Sequence, residues 1–142
     1  MWPYVVVFGL SFAAATVLPL GSEAALAALV IAERTLAAPI LVATLGNVLG
    51  SATTFWLGRR AGAFAESHRP KLAARTERAA AALRRWGPPA LLLAWVPLIG
   101  DVLVGVAGAM RMAALPCLVW ITIGKAARYL AVGWAALAAL GL

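Results

Sequence analysis

The sequence predicts an all-α integral membrane protein. It reads as an inverted repeat, each half a re-entrant helical hairpin plus a transmembrane helix, with an amphipathic cytoplasmic connecting helix between them. Three observations predict this. Hydrophobic residues make up 64% of the 142-residue chain and charged residues only 12%, against roughly 25% charged in soluble domains. Residues 1–22 and 35–58 carry no charge, and each run exceeds the roughly 18 apolar residues that mark a candidate span. Sliding the chain against itself by 78 residues, with no gap, pairs Gly9 with Gly87, Pro19 with Pro97, Glu23 with Asp101, Thr44 with Thr122, Gly46 with Gly124 and Trp56 with Trp134. The chain has room for a single membrane domain, with a first repeat over 1–58, a basic connector over 59–86 and a second repeat over 87–142.

The N-terminus lacks a basic leader region and a small-residue cleavage site, so it reads as retained. The first apolar segment breaks at "LPLGSE" (18–23). Pro19 removes a backbone donor, Gly21 frees the backbone, and Ser22 or Glu23 can cap the arm that follows. That arm runs from Glu23 to Ala32, about 15 Å of helix at 1.5 Å per residue, half of a roughly 30 Å hydrocarbon core. A hairpin dipping to the midplane suits it, the alternative being two kinked full spans. A turn near 33–39 and a longer helix over 40–58 complete the half.

The connector holds eight of the twelve basic residues: Arg59, Arg60, Arg69, Lys71, Arg75, Arg78, Arg84 and Arg85. By the positive-inside rule it is cytoplasmic. Pro70 suits a helix start, with Leu72, Ala79, Leu83 and Trp86 on one stripe and Arg75, Arg78 and Arg85 opposite. The expected placement is flat on the inner membrane surface, near anionic lipid headgroups. His68 beside it reads as a solvated surface residue.

The second half repeats the pattern: a break at "VPLIGD" (96–101) with Pro97, Gly100 and Asp101, a turn near 111–116, and a helix over 117–140. One hairpin and one span make a single net crossing per repeat, so the halves are inverted, as in many secondary transporters. Both second arms point a helix N-terminus inward, a ready anion site. A carboxylate at membrane depth costs about 2.5 to 3.5 kcal/mol on insertion scales, which makes Glu23 and Asp101 candidates for proton coupling or gating as well as simple caps. In "ITIGKAARYL", Lys125, Arg128 and Tyr129 share one helix face, and the equivalent face of the first half carries Asn47. These four are the candidate anion-binding residues, arginine clamping a phosphate bidentately and lysine adding a point charge. Salt bridges holding the halves together are the structural alternative. Gly46, Gly50 and Gly124 are positioned for close helix packing, which also permits a homo-oligomer.

Other chemistry is not expected. Cys117 sits alone in an apolar run, so neither a disulfide framework nor a cysteine metal site is expected. Only one histidine is present, and no nucleophile–base set suggests an enzyme. No metal or other cofactor, and no nucleic-acid partner, is expected. The net charge of +7 is concentrated in the connector.

The stretches "LPLGSE", "ATLGNVLGSATTFWLG", "RRWGPPALLLAWVPLIGDVLVGVAGAMRM" and "IGKAARYL" resemble the YqaA-type branch of the DedA, or VTT-domain, membrane proteins, over about 11–134. The spacing Gly46-xxx-Gly50-xxxx-Phe55-xx-Gly58 is similar to the family's Gly-xxx-Gly-xxxx-Tyr-xx-Gly, with phenylalanine for tyrosine. Pro19-x-Gly21-x-Glu23 is similar to its first re-entrant loop, and "AGAMRM" (107–112) to its Ala-Gly-xxx-Met segment. The resemblance implies two inward-facing re-entrant hairpins, residence in the bacterial cytoplasmic membrane, and movement of polyprenyl-phosphate or phospholipid headgroups with proton-motive-force dependence in several members. It carries the acid of the first hairpin onto Glu23. The family's Arg-xx-Pro-xx-Arg falls on Ala94, Pro97 and Gly100, so both arginines are missing, and Lys125 and Arg128 are candidates to replace them. The expected function is a flippase or scramblase for an anionic lipid headgroup, with proton coupling. The alternatives are a small-solute or ion transporter, and a membrane scaffold or assembly factor.

Overall fold

The computed structural model describes residues 1–16, 21–65, 70–97 and 99–141, and the side chains of these apart from 62–65 and 70–75. Pro19 and His68 lie outside the described residues, and the side chains of Leu72 and Arg75 lie outside the described side chains. The described residues are helical, without strands: α1 (Trp2–Thr16), α2 (Ser22–Glu33), α3 (Ala37–Ala65), α4 (Pro70–Trp86), a 3₁₀ segment (Pro88–Trp95), α5 (Ile99–Ala109) and α6 (Ala114–Ala139). Among the described residues two helices are long and apolar enough to cross a membrane, over Ala37–Ala61 and Ala114–Ala139.

Two compact units divide the chain. One comprises Met1–Gly50 with Lys125–Leu142, the other Ser51–Gly124. Each therefore combines a pair of short helical arms with the first part of one long helix and the last part of the other.

In the first unit α1 and α2 form a hairpin. Tyr4, at the start of α1, donates its hydroxyl proton to Glu33 at the end of α2, so the two open ends meet. Gly21 precedes α2 with φ 42°, in the left-handed region that glycine enters without a Cβ penalty. The expected side-chain cap is absent: neither Ser22 nor Glu23 caps α2, because both side chains are turned to partners on α6. Against α3 the packing is at backbone level. A Cβ on Gly46 would stand 2.5 Å from the Phe8 carbonyl oxygen, and one on Gly50 2.5 Å from that of Phe12. Val7, Leu26, Leu29, Val30, Ala43 and Tyr129 fill the core.

The second unit differs from expectation in its first arm, which is a 3₁₀ helix. Pro88 and Pro89 cannot donate, and the bonds that close its ends are of i→i+3 type, Ala90 N–H to Gly87 and Val96 N–H to Leu93. Gly100 lies within the first turn of α5 rather than in the break. A Cβ there would be 2.5 Å from the Ala94 carbonyl oxygen, so its role is close approach. α5 ends in a Schellman motif: Arg111 is left-handed at φ 55°, Arg111 N–H bonds Gly108 and Met112 N–H bonds Ala107. Arg34, after α2, is left-handed at φ 52°.

α3 runs past Gly58 to Ala65, because Arg59, Arg60 and the alanines at 61, 63 and 65 favour a helix enough to carry it through Gly62. In α4, Ala79, Ala80 and Leu83 are buried in the core with Leu91, Leu103, Val104 and Ile121, whereas Trp86 is 64% exposed with the Arg85 guanidinium over its ring. Ala79 and Leu83 of the expected stripe are thus spent on protein packing, while Trp86 is left at the surface. Leu83→Ala is expected to lower stability by about 2–4 kcal/mol through the lost contacts and the cavity left behind, read as a fall in melting temperature in detergent.

The long helices are turned inside out relative to a soluble protein. On α3, Leu41, Leu45, Leu49 and Trp56 are exposed while Thr44, Asn47 and Ser51 are buried; on α6, Val119, Ile123, Leu130 and Trp134 are exposed while Lys125 is buried. Apolar faces outward and polar faces inward are what a hydrocarbon solvent selects.

Candidate functional site

The polar faces of α3 and α6 meet the start of α2 within the first unit. Lys125 is 2% exposed, Asn47 3%, Tyr129 1% and Ser22 4%. The Lys125 ammonium donates to Asn47 Oδ1. An ammonium can only donate, so it fixes which end of the Asn47 amide faces it. Nδ2 is then aimed at Tyr129, and donates to its hydroxyl at 2.8 Å. That hydroxyl lies 3.4 Å from Ser22 Oγ, and either group can donate to the other. A hydrogen-bonded chain therefore runs from Lys125 through Asn47 and Tyr129 to Ser22, the first residue of α2.

Beside it, Arg128 is held by Glu23. Its Nε donates to Glu23 Oε1 at 2.6 Å, and Nη2 donates to the same oxygen. The Arg128 side chain is 20% exposed and that of Glu23 46%. Successive residues of α2, Ser22 and Glu23, are thus engaged by successive residues of α6, Tyr129 and Arg128. The helix repeat explains the grouping on α6: Lys125, Arg128 and Tyr129 fall on one face at i, i+3 and i+4.

Of the residues singled out in the sequence, the structure brings Glu23, Asn47, Lys125, Arg128 and Tyr129 into one unit. Asp101 stands half-buried in the first turn of α5, in the other unit. Gly124 is a packing glycine whose absent Cβ would lie 2.5 Å from the Leu92 carbonyl oxygen. Three further positions carry polar chemistry. Ser22 belongs to the hydrogen-bonded chain rather than to a cap, and its place beside Glu23 at the break was the available signal. The hydroxyls of Ser11 and Thr44 are buried in the same unit with no hydrogen-bond partner. Among the described residues no group of three or more His, Cys, Asp and Glu side chains could hold a metal ion.

The cluster holds two cations, the buried Lys125 ammonium and the part-exposed Arg128 guanidinium, the latter paired with Glu23. The guanidinium offers the paired donors that match a phosphate, and the ammonium a point charge.

The VTT domain model matches residues 2–135 of the chain. The sequence is 39% identical over 128 residues to the inner membrane protein YqaA of Escherichia coli K12, covering 88% of this chain and 84% of that protein, and the same holds for YqaA of Shigella flexneri. It is 38% identical over 129 residues to an uncharacterized protein of Haemophilus influenzae, covering 85% of this chain and 79% of that one. No solved structure matches the chain. With a family model spanning nearly the whole sequence and relatives of this identity named as inner membrane proteins, the chain belongs to the VTT-domain (DedA) family of membrane proteins as a YqaA-type member.

Proposed function

We propose that this protein carries an anionic lipid headgroup, a polyprenyl phosphate or phospholipid, across the bacterial cytoplasmic membrane, and that Glu23 couples the movement to protons. The observation that supports the reading is the placing of Lys125 and Arg128, with Glu23 on the guanidinium, on the inward faces of apolar helices. Arg128 is occupied by Glu23. A phosphate and the Glu23 carboxylate compete for the same guanidinium donors, so a proton on Glu23 frees Arg128 for the headgroup. Proton and headgroup loading then favour one another. Asp101, in the first turn of α5, takes the matching gating role in the second half.

Re-entrance of the first hairpin is supported by its length and its closure. The 12 residues of α2 span about 18 Å at 1.5 Å per residue, well short of a roughly 30 Å core, and Tyr4 and Glu33 join the open ends. An inverted repeat follows if each half crosses once through α3 or α6. The cytoplasmic side is assigned to the connector, whose exposed basic residues include Arg59, Arg60, Arg78, Arg84 and Arg85.

The test is reconstitution in liposomes with a panel of fluorescent lipid phosphates at two pH values, beside the variant Glu23→Gln, Asp101→Asn. Wild-type protein is expected to move a lipid phosphate at a pH-dependent rate, and the variant to lose that dependence. Passage of a small solute or ion with no lipid movement would instead establish the solute-transporter alternative.

A further inference from the structure

The hydrogen bond between Lys125 and Asn47 spans 78 residues, and 78 is also the offset that superimposes the two halves of the sequence. The two partners therefore occupy one and the same place in the repeat. Their surroundings agree. Gly46 precedes Asn47 and Gly124 precedes Lys125, and each glycine admits a backbone carbonyl from the first arm of its own half, Phe8 for Gly46 and Leu92 for Gly124. In both cases the oxygen lies 2.5 Å from where a Cβ would be. Along α3 and α6 the contacts run in opposite senses: Asn47 meets Lys125, and seven residues earlier on α3 Ile40 lies 3.1 Å from the Cβ position of Gly133, eight residues later on α6. Antiparallel helices touching at equivalent residues are what a two-fold relation between repeats produces at its own axis, as in an isologous interface, where a residue can face its own counterpart.

We propose that the buried positive charge belongs to this self-facing contact and not to α6 as such, so that either position can carry it. One partner supplies the ammonium that meets a headgroup phosphate. The other supplies the amide oxygen that positions it, and Asn47 is the positioning residue in this chain. For the headgroup this rests on the transport reading above; for the exchange itself it rests on the contact alone. The exchange is not perfectly symmetric. The counterpart of Tyr129 on α3 is Ser51, a shorter side chain whose buried hydroxyl has no hydrogen-bond partner.

The experiment compares Asn47→Lys, Lys125→Asn and the double exchange with wild type. Two readouts are used: thermal unfolding in detergent, and flipping of a fluorescent polyprenyl phosphate in phosphatidylcholine liposomes. Asn47→Lys sets two ammonium groups against each other and is expected to lower the melting temperature by about 5 °C or more. Lys125→Asn, an amide facing an amide, is expected to stay folded and to lose flipping by roughly tenfold or more with the charge gone. The double exchange is expected to recover the melting temperature to within about 3 °C and flipping to within roughly threefold, the shortfall reflecting Ser51 in place of Tyr129. A double variant no more stable than Asn47→Lys overturns the proposal. So does one that recovers stability but not flipping while wild type is active, because the charge would then be needed on α6. If wild type moves no lipid phosphate, the transport reading fails by itself, and the melting temperatures still decide the exchange.

Discussion

Gly108→Ala is expected to lower stability by about 2–3 kcal/mol, at the upper end of what overpacking costs, and to reduce the yield of folded protein in membranes. A Cβ at Gly108 would lie 1.9 Å from the Phe55 carbonyl oxygen, 2.8 Å from its carbon and 3.1 Å from the Arg59 nitrogen. Every one of these atoms is backbone in the middle of α3, so no side chain can swing aside. The contact is reciprocal one turn away, where a Cβ at Gly58 would lie 2.1 Å from the Gly105 carbonyl oxygen. α3 and α5 therefore touch through their backbones, the arrangement that gives membrane helices their closest van der Waals packing. Relief requires the helices to separate, which opens the core formed by Phe55, Leu103, Val104 and Ala107. Two controls on the same principle sharpen the reading. Gly105→Ala would meet no more than the Thr54 methyl at 3.8 Å, and Gly9→Ala would meet nothing within 4 Å. Gly9→Ala, inside α1, is expected to be neutral or stabilising by up to about 1 kcal/mol through helix propensity. The measurement is melting temperature in one detergent for all three. Equal values for Gly108→Ala and wild type would show that the backbones do not meet.

The sequence carries the large features of this molecule because they depend on patterns longer than a residue. A charge-free run foretells α3, the 78-residue repeat carries it onto α6, and the proline–glycine–acid breaks foretell arms near Glu23 and Asp101, which begin at Ser22 and Ile99. The face shared by Lys125, Arg128 and Tyr129 follows from helical spacing. What does not follow is which partner each polar group takes. Ser22 and Glu23 read equally well as caps, and only the arrival of α6 diverts them to Tyr129 and Arg128. Glycines are similarly mute. Gly58 and Gly108 accept a carbonyl while Gly9 faces open space, and nothing local distinguishes them. Two neighbouring prolines signal a missing donor pair, but neither the 3₁₀ form of Pro88–Trp95 nor the approach of its Leu92 carbonyl to Gly124 is legible in them. Leu83 and Trp86 sit three residues apart on one stripe, yet Leu83 is buried and Trp86 exposed. The stripe ends where α4 ends, so its last residue has no core left to enter.

Glu23 and Arg128 should behave as a switch, and their single and double substitutions separate that role from a structural one. In wild type the carboxylate occupies Nε and Nη2 of Arg128, so a phosphate must displace it. Glu23→Gln weakens the competitor, and binding of a water-soluble lipid-phosphate headgroup analogue at neutral pH is expected to strengthen by about tenfold, near 1.4 kcal/mol. Glu23→Gln stands in for the protonated acid, so its gain over wild type measures what a proton on Glu23 contributes to loading. Arg128→Gln removes the bidentate donor and is expected to weaken binding by about 2–3 kcal/mol at every pH, and the double variant should resemble it. A purely structural pair gives a different pattern. Removing either partner would then destabilise the fold and lower binding alike, with the double variant partly restored, as for an ion pair whose lone survivor is left unpaired. Because Glu23 is nearly half exposed, that structural cost is about 1 kcal/mol or less, too small to hide a tenfold gain in affinity. Calorimetric titration of the four proteins at two pH values reads both patterns directly: tighter binding in Glu23→Gln supports the switch, and weaker binding in both single variants rules it out.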